Sequence, residues 1–132
     1  AVACFVAGNQ GGTYNGNPLM TAVGISVVEQ LLAPQFLAQV QAKGELLRNE
    51  LRQLVAEFQL EGERGMGMLR ALMLGREIGP KLVEMARDQN PIGLLINSPQ
   101  PDLLRFMPAL NTSDDDIRLM ASMLRGLLKQ LV

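Results

Sequence analysis

The period of the apolar residues changes along this chain, and the change constrains the fold more than any other feature. Leu37, Val40, Gly44, Leu47, Leu51, Leu54 and Phe58 recur at alternating steps of three and four, which is the spacing of a helix with one buried stripe. Beyond Phe58 the step shortens to two. Leu69, Ala71 and Met73 alternate there with Met68, Arg70 and Leu72 in a stretch punctuated by Gly62, Gly65 and Gly67, which is the pleat of a strand. The helical period returns after Gly79-Pro80, with Leu82, Val83, Met85 and Ala86 as its apolar positions and an end before Asn90-Pro91. It returns again after Ser113, an N-cap followed by Asp114-Asp115-Asp116 and the stripe Ile117, Met120, Leu124, Leu127 and Leu131. Between these two helices, strands are expected over 93–97 and 103–107. The connecting Ser98-Pro99-Gln100-Pro101-Asp102 is too rich in proline to continue a ladder. Strands gathered between helices predict an α+β fold, a small antiparallel sheet packed with helices.

The first 33 residues have a different character. Residues 1–8 are short and apolar, which fits either a strand or the tail of an element. They lead into Gly11-Gly12-Thr13-Tyr14-Asn15-Gly16-Asn17-Pro18-Leu19, in which glycine and asparagine permit tight turning and Asn17-Pro18 reads as the N-cap and first residue of a helix. Such a junction is either an ordinary capped turn or a cradle for an anion, since the free N–H groups and dipole of a helix start favour negative charge. The helix over 18–33 is apolar on most sides, which predicts burial on more than one face, as in a connector between two domains. Ala33-Pro34 ends it. Two parts are therefore expected: residues 1–33, carrying the loop and connecting helix, and the α+β residues 34–132.

Composition excludes several functions. The chain has no histidine, which removes Ser/His/Asp triads, histidine acid–base chemistry and ordinary zinc sites. The single cysteine, Cys4, suits a reducing, cytoplasmic setting and has no histidine to activate it. A net charge of −1 supplies no field for nucleic acid or anionic membrane. The apolar stretch from Leu19 to Ala33 is interrupted by Thr21, Ser26, Glu29 and Gln30 and falls short of the roughly 20 residues of a membrane span. No metal site is expected: Asp114-Asp115-Asp116 is a helix start favoured by the dipole, and three consecutive carboxylates do not face one ion. Gly65-Met66-Gly67 lacks the third glycine and the strand-to-helix setting of a dinucleotide loop. Arg105, set among Leu103, Leu104, Phe106 and Met107, either snorkels from an edge strand or grips a carboxylate through its planar fork.

Three stretches taken together add a further implication. Gly-Gly-Thr-Tyr-Asn-Gly-Asn-Pro-Leu at 11–19, Arg-Gly-Met-Gly-Met-Leu at 64–69 and Leu-Arg-Phe-Met-Pro-Ala-Leu at 104–110 resemble, in order and spacing, the C-terminal third of class III, ornithine-type aminotransferases. The resemblance covers essentially the whole chain. It implies the small domain of a fold-type I enzyme preceded by a connecting helix, a pyridoxal phosphate cofactor, and a homodimer with active sites at the subunit interface. It implies that Thr13 hydrogen-bonds the cofactor phosphate of the neighbouring subunit, with Gly12 contributing backbone, and that Arg105 binds a substrate carboxylate. Asn15 stands where relatives often have glycine, and Gln10-Gly11 where His-Gly is common. The small-molecule substrates implied are 2-oxoglutarate/glutamate and an amino donor, N-acetylornithine ahead of ornithine or 4-aminobutyrate. None of Lys43, Lys81 and Lys129 has the family's Schiff-base context, which lies before the Thr13 loop, so no catalytic residue is assigned and the chain alone is expected to be inactive. From a different class, a non-enzymatic α+β interaction domain is also compatible with the methionine-rich composition.

Overall fold

A computed structural model describes Val6, Gly8, Asn9 and residues 11–132. Cys4 and most of the strand expected over residues 1–8 lie outside the described residues. The chain divides into two compact units, Ala1–Leu37 and Ala38–Val132.

In the first unit, helix α1 runs over Pro18–Leu31. Its start follows from local chemistry: Asn17 is extended, its side-chain oxygen accepts the Met20 N–H at 3.0 Å, and Pro18 occupies the first turn, where no N–H is needed. The Thr21 hydroxyl adds bonds to the carbonyls of Asn17 and Pro18. The expected burial on more than one face is not found, and no residue of α1 is buried. Among the described residues, this unit contains no second helix or strand beyond the first two residues of the next helix, and a lone helix has nothing against which to bury an apolar surface.

Helix α2, Phe36–Phe58, buries Gly44, Leu47, Leu51 and Leu54, with Val40 and Phe58 half-buried and Leu37, at the start of the expected stripe, exposed. It ends as a Schellman motif. Gln59 takes φ 53° and the Leu60 N–H bonds the Val55 carbonyl at 3.1 Å, which turns Leu60 back into the core.

Four antiparallel strands follow: β1 (Gly62–Met66), β2 (Leu69–Met73), β3 (Asn97–Gln100) and β4 (Leu103–Phe106), in the spatial order β1-β2-β4-β3. The β1–β2 hairpin needs its glycines. At Gly65, φ is 143° and an added Cβ would lie 2.8 Å from the Arg70 Cα. On α2, a Cβ at Gly44 would sit 2.9 Å from the Gly67 carbonyl carbon, so helix and hairpin meet backbone to backbone.

One expected strand is displaced. Residues 93–96 are irregular, and the strand is Asn97–Gln100, inside the segment whose prolines argued against a ladder. The reason is position: β3 is an edge strand with an irregular register between Asn97 and Gln100, so Pro99 is tolerated without donating to a neighbour.

Helix α3, Gly79–Arg87, and helix α4, Asp114–Leu131, complete the unit. Ser113 caps α4 through the Asp116 N–H at 3.1 Å. The buried side of α4 is Ile117, Ala121, Leu124, Leu127 and Leu128, with Met120 and Leu131 half-buried at its margin. One sheet face supplies Leu72, Leu104 and Phe106 to the core they share with Leu47, Leu51, Leu54, Leu82 and Leu124. Each fully buried leucine contributes about 2 kcal/mol. The opposite sheet face carries the polar groups described next.

Candidate carboxylate and phosphate sites

Strand β4 is an interior strand, paired to β2 on one side and β3 on the other. Leu104 and Phe106 point into the core, so the pleat sends Arg105 to the other face, where it is exposed. An interior position removes the edge-strand alternative for this arginine. Among the described residues its guanidinium forms no ion pair, whereas Arg48, Arg52, Arg70, Arg87, Arg118 and Arg125 each have an acidic partner.

The register places a row of residues across this face. Arg64 of β1 opposes Ala71 of β2, Ala71 opposes Arg105, and Arg105 opposes Asn97 of β3. Directly opposed residues in antiparallel strands share a face, and strands lie about 4.8 Å apart. Arg64 and Arg105 therefore stand roughly 10 Å apart across the small Ala71. A cavity of about 500 Å³ lies over this part of the sheet. Its lining includes Arg64, Arg70 and Arg105 and no carboxylate. A second cavity, of about 440 Å³, opens beside the end of β4; Arg105 and Asn97 line it with the apolar Leu94, Phe106, Met107 and Met120. Arginine is suited to such a place because its fork binds a carboxylate by two parallel hydrogen bonds and keeps its charge at any physiological pH.

Arg70 is different from its neighbours. It lies on the buried face of β2 at 6% exposure, held by the carbonyls of Gly65 and Gly67 and by Glu63 at 3.3 Å. Glu63 also accepts from Arg52 at 3.0 Å. This network braces the hairpin that presents Arg64.

In the other unit, Gly12 and Thr13 are exposed in the turn before α1. The Asn15 N–H bonds the Gly12 carbonyl at 3.1 Å and the Asn17 N–H that of Tyr14 at 3.3 Å, so the loop folds onto the helix start. A Cβ at Gly12 would lie 2.8 Å from the side-chain Nδ2 of Asn15, so the turn packs the asparagine side chain over the glycine. Thr13 makes no hydrogen bond among the described residues, so its hydroxyl is available to a ligand. This donor set, a hydroxyl and turn amides at the N-terminus of a 14-residue helix, fits a phosphate.

None of the three lysines lines either cavity. Lys43 is on α2, Lys81 pairs with Glu84 on α3, and Lys129 is 3.8 Å from Glu57. The acidic run Asp114-Asp115-Asp116 forms the first turn of α4. Gly65-Met66-Gly67 forms the end of β1 and the start of its turn. Sequence reasoning assigned no role to Arg64 or Asn97; only strand register brings them beside Arg105.

Comparison with known proteins shows the family. Residues 2–128 match the family described as Aminotransferase class-III, and the chain belongs to that family. It is 65% identical over 128 residues to the acetylornithine aminotransferase of Ralstonia nicotianae, covering 97% of this chain and 32% of the relative. It is 50% identical over 127 residues to acetylornithine aminotransferase 2 of Bordetella pertussis, covering 96% and 32%. The chain thus spans about a third of the length of the curated relatives it matches. Among solved structures it resembles N-acetylornithine aminotransferase of Stenotrophomonas maltophilia, with a TM-score of 0.78 and 28% identity over 88% of this chain and 32% of that one. A similar match to acetylornithine aminotransferase of Elizabethkingia anophelis has a TM-score of 0.82 at 19% identity over 98% of this chain and 33% of that one, a likeness of fold. Among the described residues, the α+β architecture of four helices and a small antiparallel sheet is that of the C-terminal part of class-III aminotransferase structures.

Proposed function

We propose that the protein to which this chain belongs transfers an amino group from N-acetylornithine to 2-oxoglutarate, using pyridoxal phosphate, as a cytoplasmic homodimer in arginine biosynthesis. The observation that carries the reading is Arg105: an arginine without an acidic partner among the described residues, on an interior strand, facing two cavities. The names of the relatives favour N-acetylornithine over ornithine or 4-aminobutyrate as donor. Arg105 is assigned to a substrate carboxylate, binding it bidentately and so fixing the orientation of the carbon that exchanges its amino group. Thr13, with the backbone of Gly12, is assigned to the cofactor phosphate. When bound, the cofactor supplies the electron sink that this chain's own side chains lack. The lysine that holds the cofactor in the family precedes the Thr13 loop, so the isolated chain is proposed to have no transaminase activity. Residues 1–33 are proposed to form the phosphate-contacting loop and connecting helix, and residues 34–132 the small domain.

The test is Arg105→Lys in the full-length enzyme. Lysine retains the charge and most of the apolar stem but not the fork. A carboxylate clamp predicts that kcat/KM toward 2-oxoglutarate falls more than about tenfold, or 1.4 kcal/mol, at an unchanged thermal midpoint. Wild-type efficiency, or a loss that follows a lowered midpoint, makes Arg105 structural.

A further inference from the structure

The residue facing Arg105 on the edge side of the sheet is an amide. Asn97 is its direct partner across the β3–β4 pair, and the Cβ atoms of such a pair stand about 4.5–5.5 Å apart on one face. Both residues are exposed and both line the cavity of about 440 Å³ at this end of the sheet. The irregularity in β3 begins immediately after Asn97, and regular pairing returns only at Gln100 with Leu103. Asn97 is therefore the position at which the edge strand is held in register beside the arginine. The other polar residues lining this cavity are Thr112 and Asp116. Asp116 is the only acid there, and its carboxylate accepts from the Ser113 hydroxyl at 2.6 Å in the cap of α4.

We propose that Asn97 is a second contact for the substrate carboxylate gripped by Arg105, an inference that rests on the carboxylate reading of that arginine. A carboxylate offers about four acceptor sites, and a guanidinium fork occupies two of them. The Asn97 side-chain amide donates to a third, while its oxygen is free to accept from the outer edge of the guanidinium and steady it. The neutral side chain is what the position requires. An aspartate has the same shape but no donor; it engages Arg105 itself and repels the incoming carboxylate.

The experiment compares Asn97→Asp, Asn97→Ala and Arg105→Gln in the full-length enzyme. The readouts are the Kd of 2-oxoglutarate by calorimetry, KM, kcat and the thermal midpoint. A carboxylate contact predicts that Asn97→Ala weakens 2-oxoglutarate binding about threefold or more and Asn97→Asp at least about tenfold, with kcat changed less than KM. A packing role predicts the reverse order, since aspartate is isosteric and alanine is not. If Arg105→Gln weakens binding while Asn97→Asp is no worse than Asn97→Ala, this inference alone is overturned. If Arg105→Gln leaves the Kd unchanged, the carboxylate reading itself is overturned and this one with it. Should Asn97→Asp lower the midpoint, Asn97→Ala decides: a threefold loss at an unchanged midpoint supports the contact, and an unchanged Kd refutes it.

Discussion

A threonine hydroxyl in a glycine turn is a small feature, yet Thr13 is exposed, lies just before a capped helix and makes no hydrogen bond among the described residues. A hydrogen bond from such a hydroxyl to a charged phosphate is worth about 1.5–3 kcal/mol. Thr13→Val preserves the shape and removes the donor. In the full-length enzyme it is expected to weaken cofactor retention by roughly ten- to a hundredfold at an unchanged thermal midpoint. Dialysis followed by quantitation of released pyridoxal phosphate measures this, and wild-type retention would remove Thr13 from the site. The turn that carries this residue was readable in the sequence because its surroundings are its own neighbours, three glycines, an asparagine cap and a proline within a few positions, while the phosphate role came from the family resemblance. Arg105 was readable only as two alternatives. The sheet order removes the edge-strand setting of one of them, and the carboxylate role is what Arg105→Lys tests.

At the scale of elements, the β1–β2 hairpin depends on a charge placed on the wrong face for its type. Arg70 shares the buried side with Met68 and Leu72, and Glu63, directly preceding Arg64 on β1, compensates it while also receiving Arg52 from α2. Removing one member of a buried pair leaves the other charge unmatched. Glu63→Gln is therefore expected to lower stability by about 3 kcal/mol, the low end for such a change, because the carbonyls of Gly65 and Gly67 still receive the guanidinium. Urea unfolding with an unchanged m value measures it. A loss below about 1 kcal/mol would show that the two carbonyls suffice. The alternation at 68–73 identified the strand, but nothing in the sequence linked Arg70 to Glu63, seven residues earlier and across a turn.

For the whole molecule, α1 sets the behaviour of the isolated chain. Leu19, Met20, Val23, Ile25, Val27 and Val28 are each 50–68% exposed, and monomeric proteins rarely expose contiguous apolar patches beyond a few hundred Å². The 132-residue chain alone is expected to self-associate through this helix, with a sedimentation coefficient that rises with concentration. Changing Val23 and Val27 to glutamate should abolish that rise. A single monomeric species at all concentrations for the unsubstituted chain would refute it. No single helix among the described residues is long and apolar enough to cross a membrane.

What the sequence determined by itself is what depends on neighbours a few residues apart. The period of three and four marked α2 and α4, the period of two marked β2, and Asn17 and Ser113 marked two helix starts, because these patterns express the geometry of a single element. Tertiary structure decided the rest. The proline-rich segment became β3 because an edge strand needs hydrogen bonds on one side only. Arg70 could be buried because Glu63 lies across the hairpin. Arg64, Ala71, Arg105 and Asn97 form one row because three separate strand registers align them. Register is set by how apolar faces pack against helices remote in the chain, and a shift of one residue would send each of these side chains to the opposite face.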